Sequence, residues 1–339
     1  MRKFTCILIA LAVIIALVPS TMVFASTQGT TQGSFNIGSE NPNVDAFQVY
    51  SDSDLTTVAN DLTPQVTYYA KITVTDPNTL NDIQTVKVKM FYDADGTDPV
   101  ESTVTEGNTQ TAAIFTWTKA TGLWTLDAGT GTTWAIVSAS SVTPTMTATT
   151  GDWVLAFRVG KVATESVGDA NWDLHARVTD GTYLSHSLYQ KDKQVLWFGQ
   201  TNVNTGTVDF GEVEPGTGFA DDVNKVGAVQ VTCISNGEYT GSMRSAATWT
   251  GTGAEGYVAD YDSTGACSNP NEFSLKAFRV DDFANAVQIG TTNTVVSPGA
   301  PQTTEAGDVH SDITFWLKVA SVFQIDVYEG SIHFVISNG

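Results

Sequence analysis

The chain has 339 residues, with 36 acidic residues against 16 Lys and Arg and a formal net charge of −20 at pH 7. Such a surface repels phosphate backbones and anionic bilayers, because phosphate contacts need Lys or Arg, and nucleic-acid binding is excluded. Charged residues make up 15%, below the ~25% usual for soluble domains, and the length suffices for two ordinary cores.

The opening MRKFTCILIALAVIIALVPSTMVFAS carries Arg2 and Lys3, an apolar stretch from Ile7 to Val18, and the small residues Val23 and Ala25. This order predicts a secretory signal peptide over residues 1–25 with cleavage after Ala25. The apolar run is shorter than the ~20 residues of a spanning helix and is followed by Pro19. Removing Arg2 and Lys3 carries the net charge from −20 to −22. Residues 26–43, STQGTTQGSFNIGSENPN, are polar and Gly-rich and read as a flexible lead segment. Within it Phe35 and Ile37 are spaced for one face of a strand. They are the expected contacts if the segment lends a strand to another copy or to a surface partner.

From residue 44 onward nearly every ordered run has period two. YYAKITVTD places Tyr68, Ala70, Ile72 and Val74 on one face, and TVKVKMFY places Val86, Val88 and Met90 on one. DWVLAFRVG aligns Trp153, Leu155, Phe157 and Val159. NWDLHARVTDG sets Trp172, Leu174, Ala176 and Val178 against Asp173, His175 and Arg177, which are expected in water. Turn clusters such as DPNTLND and DADGTDP separate the runs. After a polar link near WFGQTNVNTGTVDFGEVEPGTG, alternation resumes, with Ile313, Phe315, Leu317 and Val319 on one face and Ile332, Phe334 and Ile336 on another. No amphipathic helix is found. The expectation is an all-β chain of two antiparallel β-sandwiches in tandem, residues 44–199 with an insertion and residues 200–339. The closing VFQIDVYEGSIHFVISNG alternates and carries charge, so it is expected to be a strand and not an anchor, leaving no membrane span after cleavage.

The series YYAKITVTD, VKVKMFYDADG and NWDLHARVTDG resembles the strands and turns of immunoglobulin-like modules in exported microbial surface proteins. TVDFGEVEPG with YEGSIHFVIS is similar to the opening and closing strands of extracellular sandwich subunits of the WxL and spore-coat kind, although the WxL signature itself is absent. The resemblance implies a non-enzymatic structural or adhesive role at the cell surface, with copies of itself or other surface proteins as partners.

Several residue groups are candidates for chemistry. Cys233 and Cys267 alone survive cleavage, and in an oxidising compartment an even pair is expected to form a disulfide. Asp93, Asp95 and Asp98 surround Gly96 and offer oxygens to calcium, but the spacing fails the EF-hand pattern, so a strand-ending turn competes. A second acidic turn, Asp76, Asn78, Asn81 and Asp82, lies at the far end of the neighbouring strand and cannot share a site with the first. Asp308, His310 and Asp312 alternate along one strand and read as a solvated edge sooner than a metal site. Trp117, Trp124 and Trp134 fall near turns, where they either stack on a cell-wall or surface glycan or pair across a hairpin. Beyond the possible calcium no cofactor is implied. The chain has no G-x-S-x-G, H-E-x-x-H or N-x-[ST] sequence, which removes two hydrolase signatures and sequon-directed glycosylation. A carboxylate hydrolase remains the further alternative, since 36 acidic residues supply many pairs.

Overall fold

The structure, a computed structural model, describes residues 34–36, 38, 40–97, 104–204 and 207–339. The expected signal peptide, most of the lead segment, Ile37 and Asp98 lie outside the described residues. Two compact units divide the chain, Met1–Ser39 and Glu40–Gly339. In the first, Phe35 is 88% exposed.

The N-terminal part of Glu40–Gly339 is built from β1 (Asn43–Tyr50), β2 (Asp61–Leu62), β3 (Thr67–Thr75), β4 (Thr85–Asp93), β5 (Ala112–Thr118), β6 (Leu123–Leu126), β7 (Ala135–Ile136), β8 (Thr150–Arg158), β9 (Asn171–Thr179) and β10 (Leu188–Val195). They form a four-stranded sheet, β1-β3-β8-β7, and a six-stranded sheet, β2-β10-β9-β4-β5-β6. Period-two patterning decides which faces meet. All the apolar faces read from β3, β4, β8 and β9 are buried in one core cluster. Indoles close it from both sheets: Trp117 of β5 lies edge-on to Trp153 of β8 at 5.4 Å, and Phe115 meets Phe157 at 5.4 Å. Burying side chains of this size contributes about 2–3 kcal/mol each relative to exposure, so the aromatic contacts dominate this core.

The C-terminal part is built from β11 (Gly199–Val203), β12 (Lys225–Ser235), β13 (Tyr239–Ser245), β14 (Thr248–Gly251), β15 (Val258–Tyr261), β16 (Glu272–Phe278), β17 (Val287–Gln288), β18 (Thr294–Ala300), β19 (Asp308–Val319), β20 (Tyr328–Glu329) and β21 (Ile332–Asn338). One sheet runs β11-β12-β19-β16-β15-β14-β20 with β17 on β16, and the other runs β18-β13-β21. Ile313, Phe315, Leu317 and Val319 are buried in a second core cluster, and Phe315 meets Phe334 of the facing sheet edge-on at 6.1 Å. The chain leaves the first core at Val195 and enters the second at Trp197.

The fold is thus all-β, two sandwiches in tandem. Among the described residues pairing is antiparallel except for two short parallel strand contacts, β2 with β10 and β15 with β16, and a parallel bridge between Arg244 and Gly290. Helical turns among the described residues are three residues long, as at Leu80–Asp82 and Ala128–Thr130.

One face differs from expectation. Asp173 and His175 are each 1% exposed, although the alternation puts them outward. Their side of β9 is covered as well as the Trp172 side. The Tyr189 ring, cross-strand from His175, lies 4.8 Å from the imidazole, and Lys89 on the same face reaches the Val104 carbonyl at 2.8 Å.

Candidate functional site

Hydrogen bonds join the two sandwiches and absorb most of the polar side chains near the junction. Glu305 receives the amide and hydroxyl of both Thr132 and Thr133, the shortest contact being Thr133 Oγ1 at 2.7 Å. Burial raises the Glu305 pKa, but these four donors outweigh it and hold the carboxyl below its usual range. Asn236 is fully buried: its Nδ2 donates to the carbonyls of Ala163 and Leu196 at 2.9 Å, and its Oδ1 accepts from Phe198 N at 2.6 Å. Gln302 donates to Val162 O at 2.8 Å, and Gln110 returns a bond to Thr303 O at 3.0 Å.

A cleft of about 350 Å³ opens beside this seam, lined by Glu165, Asn236, Glu238, Gln302 and Asn338 among others. Two carboxylates in a cleft are the minimum for glycoside hydrolysis. Burial pushes the Glu165 pKa up, and Asn338 Nδ2 partly offsets this by donating to Glu165 Oε1 at 2.9 Å. Glu165 is therefore tied to the seam from its side chain, and from its backbone through Asn236 O.

The expected disulfide is not formed. Cys233 and Cys267 are free and buried. Cys233 pairs with Asp308 at the start of β19, whereas the Cys267 thiol donates to Lys318 O near its end, at 3.8 Å. At about 3.3 Å per strand residue the two sites are roughly 30 Å apart, against the ~7 Å limit between Cα atoms for a bridge. Burial pushes each thiol up to about 11, so neither supplies a thiolate nucleophile near neutral pH.

Cys233 has polar neighbours that the sequence did not bring together. The Tyr239 hydroxyl donates to Asp308 Oδ2 at 3.1 Å and lies 3.2 Å from His310 Nε2. Burial raises the Tyr239 pKa well above its ordinary value, which keeps the phenol a donor. Asp312 does not join this group. Val229 opposes Ile313 while Val231 opposes His310, so β19 carries one extra residue there, a bulge that takes Asp312 out of alternation.

The tryptophan platform is also corrected. Trp117, Trp124 and Trp134 are 2%, 8% and 3% exposed. Trp117 and Trp124 stand opposite each other on β5 and β6, Trp117 Nε1 donates to Thr143 Oγ1 at 3.1 Å, and Trp134 Nε1 donates to Thr109 O at 3.1 Å. They are the cross-strand and core aromatics of a hairpin, with no face left for a sugar ring.

At the DADGTDP turn, Asp95 Oδ1 accepts from the amide and hydroxyl of Thr97 at 3.1 and 2.7 Å, the bonding of a side-chain-stabilised turn. Asp93 Oδ1 accepts from Asp95 N at 3.3 Å, and its Oδ2 is buried with no partner. At the other turn Asp76 is fully buried; Oδ1 caps Asn78 N at 2.8 Å and Oδ2 has no partner. Among the described residues no three His, Cys, Asp or Glu side chains converge to hold a metal. The sequence reading missed Asn171, whose Oδ1 is another buried oxygen with no partner.

Fold and site together define an all-β chain of two sandwiches joined by side-chain hydrogen bonds. No protein-family profile matches the chain, and no curated protein sequence matches it. Among solved structures it is similar, at 10% identity and a TM-score of 0.22, to a 35 kDa C-terminal fragment of the major pilin GBS80 of Streptococcus agalactiae, over 84% of this chain and 82% of that one.

Proposed function

We propose that the chain is a secreted, non-catalytic cell-surface protein that joins copies of itself or other surface proteins into an extracellular assembly. The observation that carries this reading is the seam. Glu305, Asn236, Gln302 and Gln110 tie one sandwich to the other through bonds of 2.7–3.1 Å. A protein that transmits force or fixes spacing needs its domains held in one orientation, whereas domains otherwise move relative to each other by default. Among the described residues no helix is long and apolar enough to cross a membrane. Surface retention would come through assembly, with the lead segment around Phe35 and Ile37 pairing along an open sheet edge of another copy.

The test compares the chain beginning at Ser26 with one beginning at Val44, by light scattering over a concentration series and by electron microscopy. The longer chain is expected to form oligomers or filaments and the shorter one to remain monomeric. Identical monomers from both at the highest concentration would contradict self-assembly, and turnover of a polysaccharide abolished by Glu165→Gln would replace the reading with a hydrolase.

A further inference from the structure

Three side-chain acceptor oxygens of the N-terminal sandwich, on Asp76, Asp93 and Asn171, are buried without a hydrogen-bond donor among the described residues, and two of them stand together. Asp93 Oδ2 and Asn171 Oδ1 are both buried and both without a hydrogen-bond partner. Asp93 closes β4, Asn171 opens β9, and they stand directly opposite in the antiparallel ladder. Directly opposed residues project to the same sheet face with Cβ atoms roughly 5 Å apart. Neither oxygen can satisfy the other, because a carboxylate and an amide carbonyl both only accept.

The orientation of the amide is fixed. Asn171 is 5% exposed, and its Nδ2 donates to Asp192 Oδ1 at 3.2 Å, which a flipped amide could not do. Its Nδ2 also reaches the Asp169 carbonyl at 3.5 Å, and its Oδ1 points to the side where none of the described residues offers a donor. The surroundings are rich in oxygen. Asp173, 1% exposed and on the same sheet face, accepts from Asp192 N at 3.0 Å. The turn after β4 runs against the Asp169 carbonyl so closely that a Cβ at position 96 would stand 2.4 Å from it, and the φ of 67° there suits glycine. Lys191 is the basic side chain whose charge reaches Asp173, and it bonds to neither orphan oxygen.

We infer that Asp93 Oδ2 and Asn171 Oδ1 are ligands of a hard divalent cation of the calcium type, with water completing an all-oxygen shell. Calcium takes six to eight oxygens in flexible geometry and accepts neutral amide and carbonyl ligands. The ligand set differs from the three aspartates of the DADGTDP turn. Asp95 Oδ1 is taken by the Thr97 amide and hydroxyl, and the second ligand comes from another strand. A shell with so few carboxylates belongs at the weak end of calcium affinities, about 0.1–1 mM, the range of extracellular modules. A single buried water donating to both oxygens is the competing occupant.

The experiment is a thermal melt of the EDTA-treated protein with added calcium, paired with terbium luminescence sensitised by Trp172, the chain neighbour of Asn171. At a tenfold excess over Kd the melting temperature is expected to rise by about 2–3 °C. Calcium is expected to displace the terbium signal. Asp93→Asn removes both responses, while Asp95→Ala keeps both. If Asp93→Asn does not fold, Asn171→Asp answers instead: the added carboxylate lowers the calcium concentration for half effect about tenfold. Unresponsive melts and dark terbium, the result for a water-filled site, overturn the inference. So does a calcium response that Asp93→Asn leaves intact, or one that Asp95→Ala abolishes.

Discussion

The two sandwiches treat a buried polar cluster in opposite ways. In the C-terminal one, the Tyr239 hydroxyl finds Asp308 Oδ2 and His310 Nε2 at 3.1 and 3.2 Å, and the cluster is completed from within the chain. In the N-terminal one, paired strand residues Asp93 and Asn171 each keep a buried oxygen without a donor. Buried polar groups in native structures nearly always have partners, so the first cluster reads as architecture and the second as a place for something from outside. The apolar sides differ too. Two pairs of indoles, Trp117 with Trp153 and Trp134 with Trp172, close the first core, whereas in the second Trp249 meets Phe273 at 4.7 Å and Trp197 packs alongside rings of Phe and Tyr.

The largest effect that would sharpen this contrast is in the aromatic core. Trp124→Ala is expected to lower unfolding free energy by about 3–5 kcal/mol in urea denaturation. A stable variant with altered glycan binding would instead restore the platform reading. Next comes the seam between the two regions, where Glu305→Gln should cost about 1–2 kcal/mol at pH 7. The folded-state pKa of Glu305 is depressed. Its contribution is therefore complete above the ordinary Glu range and lost as pH falls through the lower folded value. Wild type and Glu305→Gln should then converge in acid, and a gap that stays constant throughout acid titration would sink the assignment. Tyr239→Phe is expected to cost about 1 kcal/mol, equally in calcium and in EDTA, since that cluster needs no outside partner. A calcium-dependent difference would erase the contrast between the two clusters. The smallest energetic consequence attaches to the cysteines. In the chain beginning at Ser26, labelling without reductant should find the two thiols of Cys233 and Cys267 after unfolding and none beforehand, and an unlabelled unfolded chain would mean a disulfide after all.

The strand faces were legible because alternation is a local property: Val86, Val88 and Met90, or Trp153, Leu155 and Phe157, need only their neighbours to show which way they point. Whether the opposite face is wet is not local. Asp173 and His175 look like solvent positions in NWDLHARVTDG and become buried because other parts of the chain pack over that side of β9. The disulfide failed for a related reason. Two cysteines 34 positions apart in sequence attach to opposite ends of β19, and no composition rule reports position along a strand that neither residue occupies. Asp312 was misplaced by a single bulge. Asn171 had no signal at all: an asparagine opening a strand looks like any turn residue, and only its register against Asp93 gives it a role.

The claim that the two sandwiches form one mechanical body is tested most directly by calorimetry of the chain from Val44 to Gly339. The seam through Glu305, Asn236 and Gln302 predicts one cooperative transition whose calorimetric and van't Hoff enthalpies agree. Two separated transitions in the unmodified protein, one for each core, would contradict it.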